Sequence, residues 1–315
     1  MKNSYKTVDC VKAWLAGAVF IAMMAFAPQW ARAGIVSTFA GHVAERVAEH
    51  QAVKHIEGAI GSAGKGQAPV PGLNSPLALP SGDGLLGCKQ LFPRNLPMDI
   101  RTVNSQWRAV GLCSNHFAVV YSRLSKTPLF VVEKLNQAMM ADAVGEERTN
   151  HFYPDPRLAR GDRAELSDFV GSGKDRAHLA NAADQPDQQS MIQSFALSNM
   201  IPGDPTNNRS GAWLKAEKDT RKYAKRAGGN VFVFSGPLFR ASGGQQKTVG
   251  ANRVWVPTHL FKLVYDEAEG RAWAFIMPDT AEASLGAPMS YEDFVRQTGW
   301  QLLAGVNLRA PVASR

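Results

Sequence analysis

Apolar runs of four or five residues recur at 117–121, 129–133, 194–197, 231–234, 253–256, 261–264 and 272–276. Most are rich in Val, Phe and Ala, and turn or charged residues bound them. Runs this short, with this composition, predict strands. One segment breaks the pattern. Trp213, Ala216, Thr220, Tyr223, Ala224 and Ala227 return at three- and four-residue steps, predicting a helix over 213–227 that Gly228-Gly229-Asn230 stops. A shorter helix is predicted over 291–298. The mixture reads as one α+β domain, placed at 85–315.

What precedes that domain reads differently. Lys2, Lys6 and Lys12 lead into an uncharged, mostly apolar stretch over 13–27, and Ala31-Arg32-Ala33 then offers small residues for cleavage. That is the layout of a signal peptide over 1–33. The apolar stretch falls short of the ~20 residues a membrane-spanning helix needs, so a retained anchor is the weaker reading. The expectation is an exported protein, periplasmic or secreted. Residues 34–60 predict a solvated helix on which His42, His50 and His55 share no face. Residues 61–84 turn to Gly, Ser and Pro and read as a linker.

Export would leave Cys88 and Cys113 together in an oxidising compartment, which predicts a disulfide between them. In the chain-entropy picture a bridge over a loop of that size contributes about 3 kcal/mol. The three cysteines match no zinc-finger spacing. Lys and Arg outnumber Asp and Glu by 35 to 27, giving a net charge of +8. A basic surface favours anionic partners without choosing among them. Gly64-Lys65 and Gly173-Lys174 lack the flanking residues of a phosphate loop.

The segment that carries chemistry runs from Arg148 to Arg226. At its centre stands Asp175-Arg176-Ala177-His178. As a strand it would put Arg176 and His178 on one face and Asp175 and Ala177 on the other. A guanidinium beside an imidazole suits an anionic substrate that water must attack. A second predicted strand, Ser194 to Asn199-Met200-Ile201-Pro202, runs into a loop, and Asn207-Asn208-Arg209 then precede the helix. On that helix Trp213, Glu217 and Arg221 stand four apart and form one stripe. Each piece alone has a plain structural account: a core histidine, a helix cap, a surface ion pair. The order of the pieces does not.

That order resembles the DNA/RNA non-specific endonucleases, whose ββα-metal motif carries Asp-Arg-Gly-His on its first strand and then an Asn and a Glu at the helix. The resemblance also covers Tyr153-Pro154-Asp155-Pro156, Asp168-Phe169, Phe234-Ser235-Gly236-Pro237, and Val256-Pro257-Thr258-His259 with Lys262. It implies a central, mainly antiparallel sheet flanked by helices, acting on DNA and RNA with little sequence preference and leaving 5′-phosphorylated products. His178 is then the general base, and Arg148 and Arg176 stabilise charge. Arg176, Arg221 and Asn199 contact substrate, and Asp175 is structural. Mg²⁺, with Mn²⁺ able to substitute, would sit on Asn208, with Asn207 as fallback and Glu217 acting through water, where it would also have a catalytic role in protonating the leaving oxygen.

Two residues depart from the family pattern. Ala177 replaces its glycine, and Arg209 stands four before Trp213 where the family has its asparagine, implying an insertion. No stable protein partner is inferred, and a homodimer is left open. An inactive nucleic-acid-binding protein of the same fold, and a phosphodiesterase acting on small esters, are the alternatives.

Overall fold

A computed structural model of the protein describes residues 84–143, 148–240 and 245–309. The chain divides into two units, Met1–Pro69 and Val70–Arg315, and the described residues all belong to the second. The leader, the 34–60 helix and nearly all of the linker expected from the sequence lie outside them.

Helix α1 (Arg101–Trp107) leads into strands β1 (Ala109–Cys113), β2 (Phe117–Ser122) and β3 (Thr127–Leu135), then α2 (Gln137–Asp142). A central insertion follows: β4 (Asp175–His178), α3 (Gln188–Ser194), β5 (Met200–Gly203), α4 (Pro205–Arg209) and α5 (Ala212–Ala224). The chain then resumes with β6 (Val231–Leu238), β7 (Thr248–Val249), β8 (Val254–Trp255), β9 (His259–Asp266), β10 (Arg271–Pro278), β11 (Met289–Ser290) and α6 (Tyr291–Thr298). Seven strands pair in the order β1-β2-β3-β6-β9-β10-β11, antiparallel throughout. Strands β4 and β5 form a separate antiparallel pair. The fold is α+β, a large antiparallel sheet with flanking helices.

Both faces of the large sheet are covered, which explains why its strands read as unbroken apolar runs. Ala118, Val120, Phe130, Val132, Phe234 and Phe261 pack on one side with Phe294 of α6 and the disulfide-bearing segment at Cys88. Phe117, Val119, Tyr121 and Val131 face the other way, against Ala177, Ile201, Trp213 and Ala216. Alternate residues of one strand thus serve two cores. The β4-β5-α5 unit lies on the second face, held there by Trp213, which is fully buried. Cys88 and Cys113 form the expected disulfide, Cα atoms 5.7 Å apart, tying β1 to the segment before α1.

Two expectations need correction. Residues 194–197 are not a strand: they end α3 and enter a 3-10 turn. Their backbone makes a single parallel bridge with Tyr153, through Tyr153 N–H to Phe195 C=O at 3.3 Å and Leu197 N–H to Tyr153 C=O at 2.8 Å. The residues after Gly203 are not a plain loop either. Asp204 accepts hydrogen bonds from the N–H groups of Thr206 and Asn207, and Pro205 follows it in the first helical turn, which starts α4.

Candidate active site

Strand β4 carries the centre of the site, paired with β5 from Asp175 opposite Gly203 to His178 opposite Met200. Its alternation is the one the sequence implied. Arg176 and His178 both turn toward Phe152, the guanidinium carbon 4.2 Å and the imidazole 5.6 Å from the ring centre. Phe195 closes the other side of the imidazole at 4.8 Å, edge to face, and also lies 5.2 Å below the Arg148 guanidinium. The two phenylalanines touch each other at 4.9 Å. The histidine is thus held in an aromatic sleeve with an arginine on either flank.

The electrostatics follow from that placement. His178 is 8% exposed, and its Nε2 is buried without a hydrogen-bond partner. Burial, then the positive charges of Arg148 and Arg176, hold its pKa well below the usual histidine value. It is a neutral imidazole with a free ring nitrogen.

Helix α5 is fastened to β4 through Trp213, whose Nε1 donates to the carbonyl of His178 at 3.3 Å. One turn later Glu217 is buried, and burial pushes its pKa up to about 7. Lys262 opposes that rise, Asp184 adds to it, and a hydrogen bond from Asn181 opposes it again. Lys262 is itself buried, donates to Ser235 Oγ at 2.6 Å, and lies 4.6 Å over the Trp213 ring. Glu133 joins the cluster from β3, its pKa raised by burial and by Asp184, and accepts from Gln185 at 3.2 Å. Glu217, Asp184 and Glu133 thus share one cluster beneath α5 with two bases, Lys262 and Arg221.

Several residues expected to meet a substrate or metal turn inward instead. Arg221 pairs with Asp184 beneath the helix, so it is committed to a buried carboxylate rather than to a phosphate. Asn199 is fully buried: its Oδ1 accepts from Ala180 N–H at 2.8 Å, and its Nδ2 donates to Ala180 C=O and Ser194 C=O. It clamps the chain just after His178 and has no open side for substrate. Asn207, the fallback metal ligand, is likewise sealed. Its Oδ1 accepts from Trp213 N–H at 3.0 Å, and its Nδ2 donates to Asp279 at 3.0 Å.

Asn208, a helical step of ~100° further on, is half-exposed and donates its Nδ2 to Asp175 at 2.9 Å. No described residue donates to its Oδ1. Among the described residues no three His, Cys, Asp or Glu side chains gather into a metal cage. The available donors, an unpartnered amide oxygen and a buried carboxylate, are hard oxygens suited to a cation that keeps most of its water.

Ala177 faces the core, on the side of β4 opposite Arg176 and His178. It is 1% exposed and packs in the core with Trp213 and Ile201, so its methyl group does not narrow the approach of a substrate. His116 lies 3.4 Å from Asp187, and His259 Nδ1 lies 3.1 Å from Thr258 Oγ1; neither belongs to the His178 sleeve.

The model of the DNA/RNA non-specific endonucleases matches residues 97–308. The chain belongs to that family. Among its relatives, human mitochondrial endonuclease G is 35% identical over 174 residues, 52% of this chain and 58% of the relative. Xenopus laevis mitochondrial nuclease EXOG is 32% identical over 181 residues, 53% of this chain and 49% of the relative. Mitochondrial nuclease 1 of Schizosaccharomyces pombe is 32% identical over 185 residues, 52% and 56%. The chain spans about half the length of these curated relatives. A solved chain of the EndoG/EndoGI complex superposes with a TM-score of 0.53 at 24% identity, over 60% of this chain and 83% of that one, a likeness of fold.

These relatives are named as mitochondrial nucleases, which overturns the expectation of an exported, periplasmic or secreted protein. Within this endonuclease family member, Phe152, Phe195, Asn181, Asp184 and Glu133 are site neighbours that the sequence reading did not single out. Glu133 alone left a trace, as a lone acid closing an otherwise apolar run.

Proposed function

We propose that this protein is a metal-dependent endonuclease that hydrolyses phosphodiester bonds of DNA and RNA with little sequence preference, through the domain at 85–315. The observation that carries the reading is His178: a buried, neutral imidazole whose Nε2 has no protein partner, set between two arginines. A general base must be deprotonated and within reach of water, and this one is held deprotonated by its surroundings.

Phosphodiester hydrolysis asks for three things: a proton acceptor, positive charge on the phosphoryl oxygens, and help for the leaving oxygen. His178 would take the proton from the attacking water. Arg148 and Arg176, stacked on Phe195 and Phe152, are held where their charge flanks that water. Asn208 and, through water, Glu217 are the residues that would hold Mg²⁺, which supplies charge stabilisation at the leaving oxygen when bound. Trp213 and Asn199 act behind these groups by fixing the backbone at the His178 carbonyl and at Ala180 just after it. Burial in the aromatic sleeve disfavours the protonated imidazole. By resemblance the products carry 5′-phosphates.

Exposed Lys218, Lys225 and Arg226 on and beside α5 offer charge to a phosphate backbone. Such contacts carry no sequence information. The test is cleavage of plasmid DNA and of a folded RNA, set beside a small aryl phosphodiester. Cleavage of both polymers is expected; turnover of the small ester alone would reject an endonuclease.

A further inference from the structure

Arg209 stands four residues before Trp213 and directly after Asn208, and the structure gives that arginine a use. Its Nε donates to Asp175 Oδ2 at 2.7 Å and its Nη2 to Asp175 Oδ1, a two-pronged pairing. Asp175 is mostly covered, with a side chain 12% exposed, whereas Arg209 is 63% exposed and spans its outer side. The same Oδ2 accepts from Asn208 Nδ2 at 2.9 Å. Three residues are therefore joined in series, with Asp175 bridging Arg209 and Asn208.

The two ends of an asparagine amide have nearly the same shape, so its hydrogen-bond partners decide which end points where. A carboxylate has acceptors only, and can take the Nδ2 end but not the Oδ1 end. With Nδ2 taken by Asp175, the amide oxygen is left pointing away, and no described residue donates to it. A planar guanidinium fork on both carboxylate oxygens fixes the plane of Asp175 as well. We propose that the Arg209–Asp175 pair is an orientation lock that presents the carbonyl oxygen of Asn208, rather than its NH₂ group, to a divalent cation. Asp175 and Arg209 are positioning residues in this scheme and touch neither metal nor substrate. The lock rests on the metal-dependent reading above and adds to it a reason why Asn208 offers oxygen.

The test is Mn²⁺ binding by the full chain in the absence of nucleic acid, followed by loss of the free-ion EPR signal. Wild type is expected to bind Mn²⁺ and to release it to EDTA. Asp175→Ala should weaken binding roughly 10- to 100-fold, the range seen when a partner behind a metal ligand is removed. Arg209→Gln, an exposed change that spares the fold, should weaken it by less but measurably. Asp175→Asn keeps the size of the side chain but offers Asn208 a donor as well as an acceptor, so it no longer selects one end of the amide and should also weaken binding. A role in stability only predicts unchanged affinity in every folded variant. Thermal midpoints in EDTA report folding independently for every variant. Unchanged Mn²⁺ affinity in folded Asp175→Ala, Asp175→Asn or Arg209→Gln overturns the lock while leaving metal dependence standing. Wild type that binds no Mn²⁺ overturns the metal-dependent reading, and the lock with it.

Discussion

Gly203→Ala is a small substitution whose effect the structure sets almost entirely by one contact. Gly203 lies on β5, and a Cβ built there would stand 2.7 Å from the Cβ of Ala177 on β4, closer than two such carbons tolerate. Overpacking of this kind costs about 1–3 kcal/mol. Removing a glycine from the unfolded chain returns roughly 0.4–1 kcal/mol, since Gly203 has no positive φ that an alanine would resist. The net expectation is a loss of about 1–2 kcal/mol. Ala177→Gly alone should cost about 1 kcal/mol, from a lost buried methyl group and added chain freedom. Together the two changes exchange the residues across the pair and remove the clash.

The double variant should therefore be more stable than the sum of the singles predicts, by about 1–3 kcal/mol. Urea denaturation of the four proteins, followed by far-UV circular dichroism, measures this directly. Additivity within about 0.5 kcal/mol would refute the reasoning, because residues in contact should couple and independent ones should not. The cycle also bears on the family departure at Ala177. If that methyl group is a packing partner of Gly203, Ala177→Gly should leave KM for DNA unchanged.

Two other expectations follow from the site and its anchor. Arg148→Gln removes a cation that holds the His178 pKa down, so that pKa should rise toward the ordinary value of ~6.5. The acid limb of kcat/KM should then move to higher pH, quite apart from any fall in rate; a limb that stays in place would remove Arg148 from the electrostatics of the base. Replacing Cys88 and Cys113 by serine should cost about 3 kcal/mol through the freed loop, lowering Tm. It should spare turnover by the folded enzyme, because the bridge lies on the sheet face that packs against α6, while β4 packs on the other; loss of turnover in a folded variant would contradict that separation.

The large sheet was legible in the amino-acid sequence because β2, β3, β6 and β9 are covered on both faces, leaving long apolar runs. The 194–197 run misled for the same reason. Phe195 and Leu197 are as buried as strand residues, but they are buried against the His178 ring and a neighbouring core rather than paired in a sheet. Local pattern reports burial and not what covers it. Helix α4 carries a readable signal, an Asp followed by Pro, and a helix there separates Asn207 from Asn208 by ~100° around its axis.

The site itself was legible where period-two alternation sufficed, as for Arg176 and His178 on one face of β4. It was not legible where direction mattered. Arg221 and Asn199 are polar residues in the right order, yet one serves a buried acid and the other three backbone groups. Phe152 has the composition signal of any core residue, and only the fold shows that it underlies Arg176 and His178. Asp184 and Glu133 reach the cluster beneath α5 from a turn and from β3, a meeting that no local spacing announces.

The central claim is that His178, poised without a partner and stripped of its charge by its surroundings, activates water for a metal-assisted cut. Plasmid nicking by the protein in Mg²⁺ and in EDTA, with His178→Ala beside it, tests that claim most directly. Cutting by wild type only with the metal, and a loss of at least 10²-fold in the variant, is the predicted result. Folded wild type that never cuts, or a His178→Ala variant that cuts as fast, would contradict it.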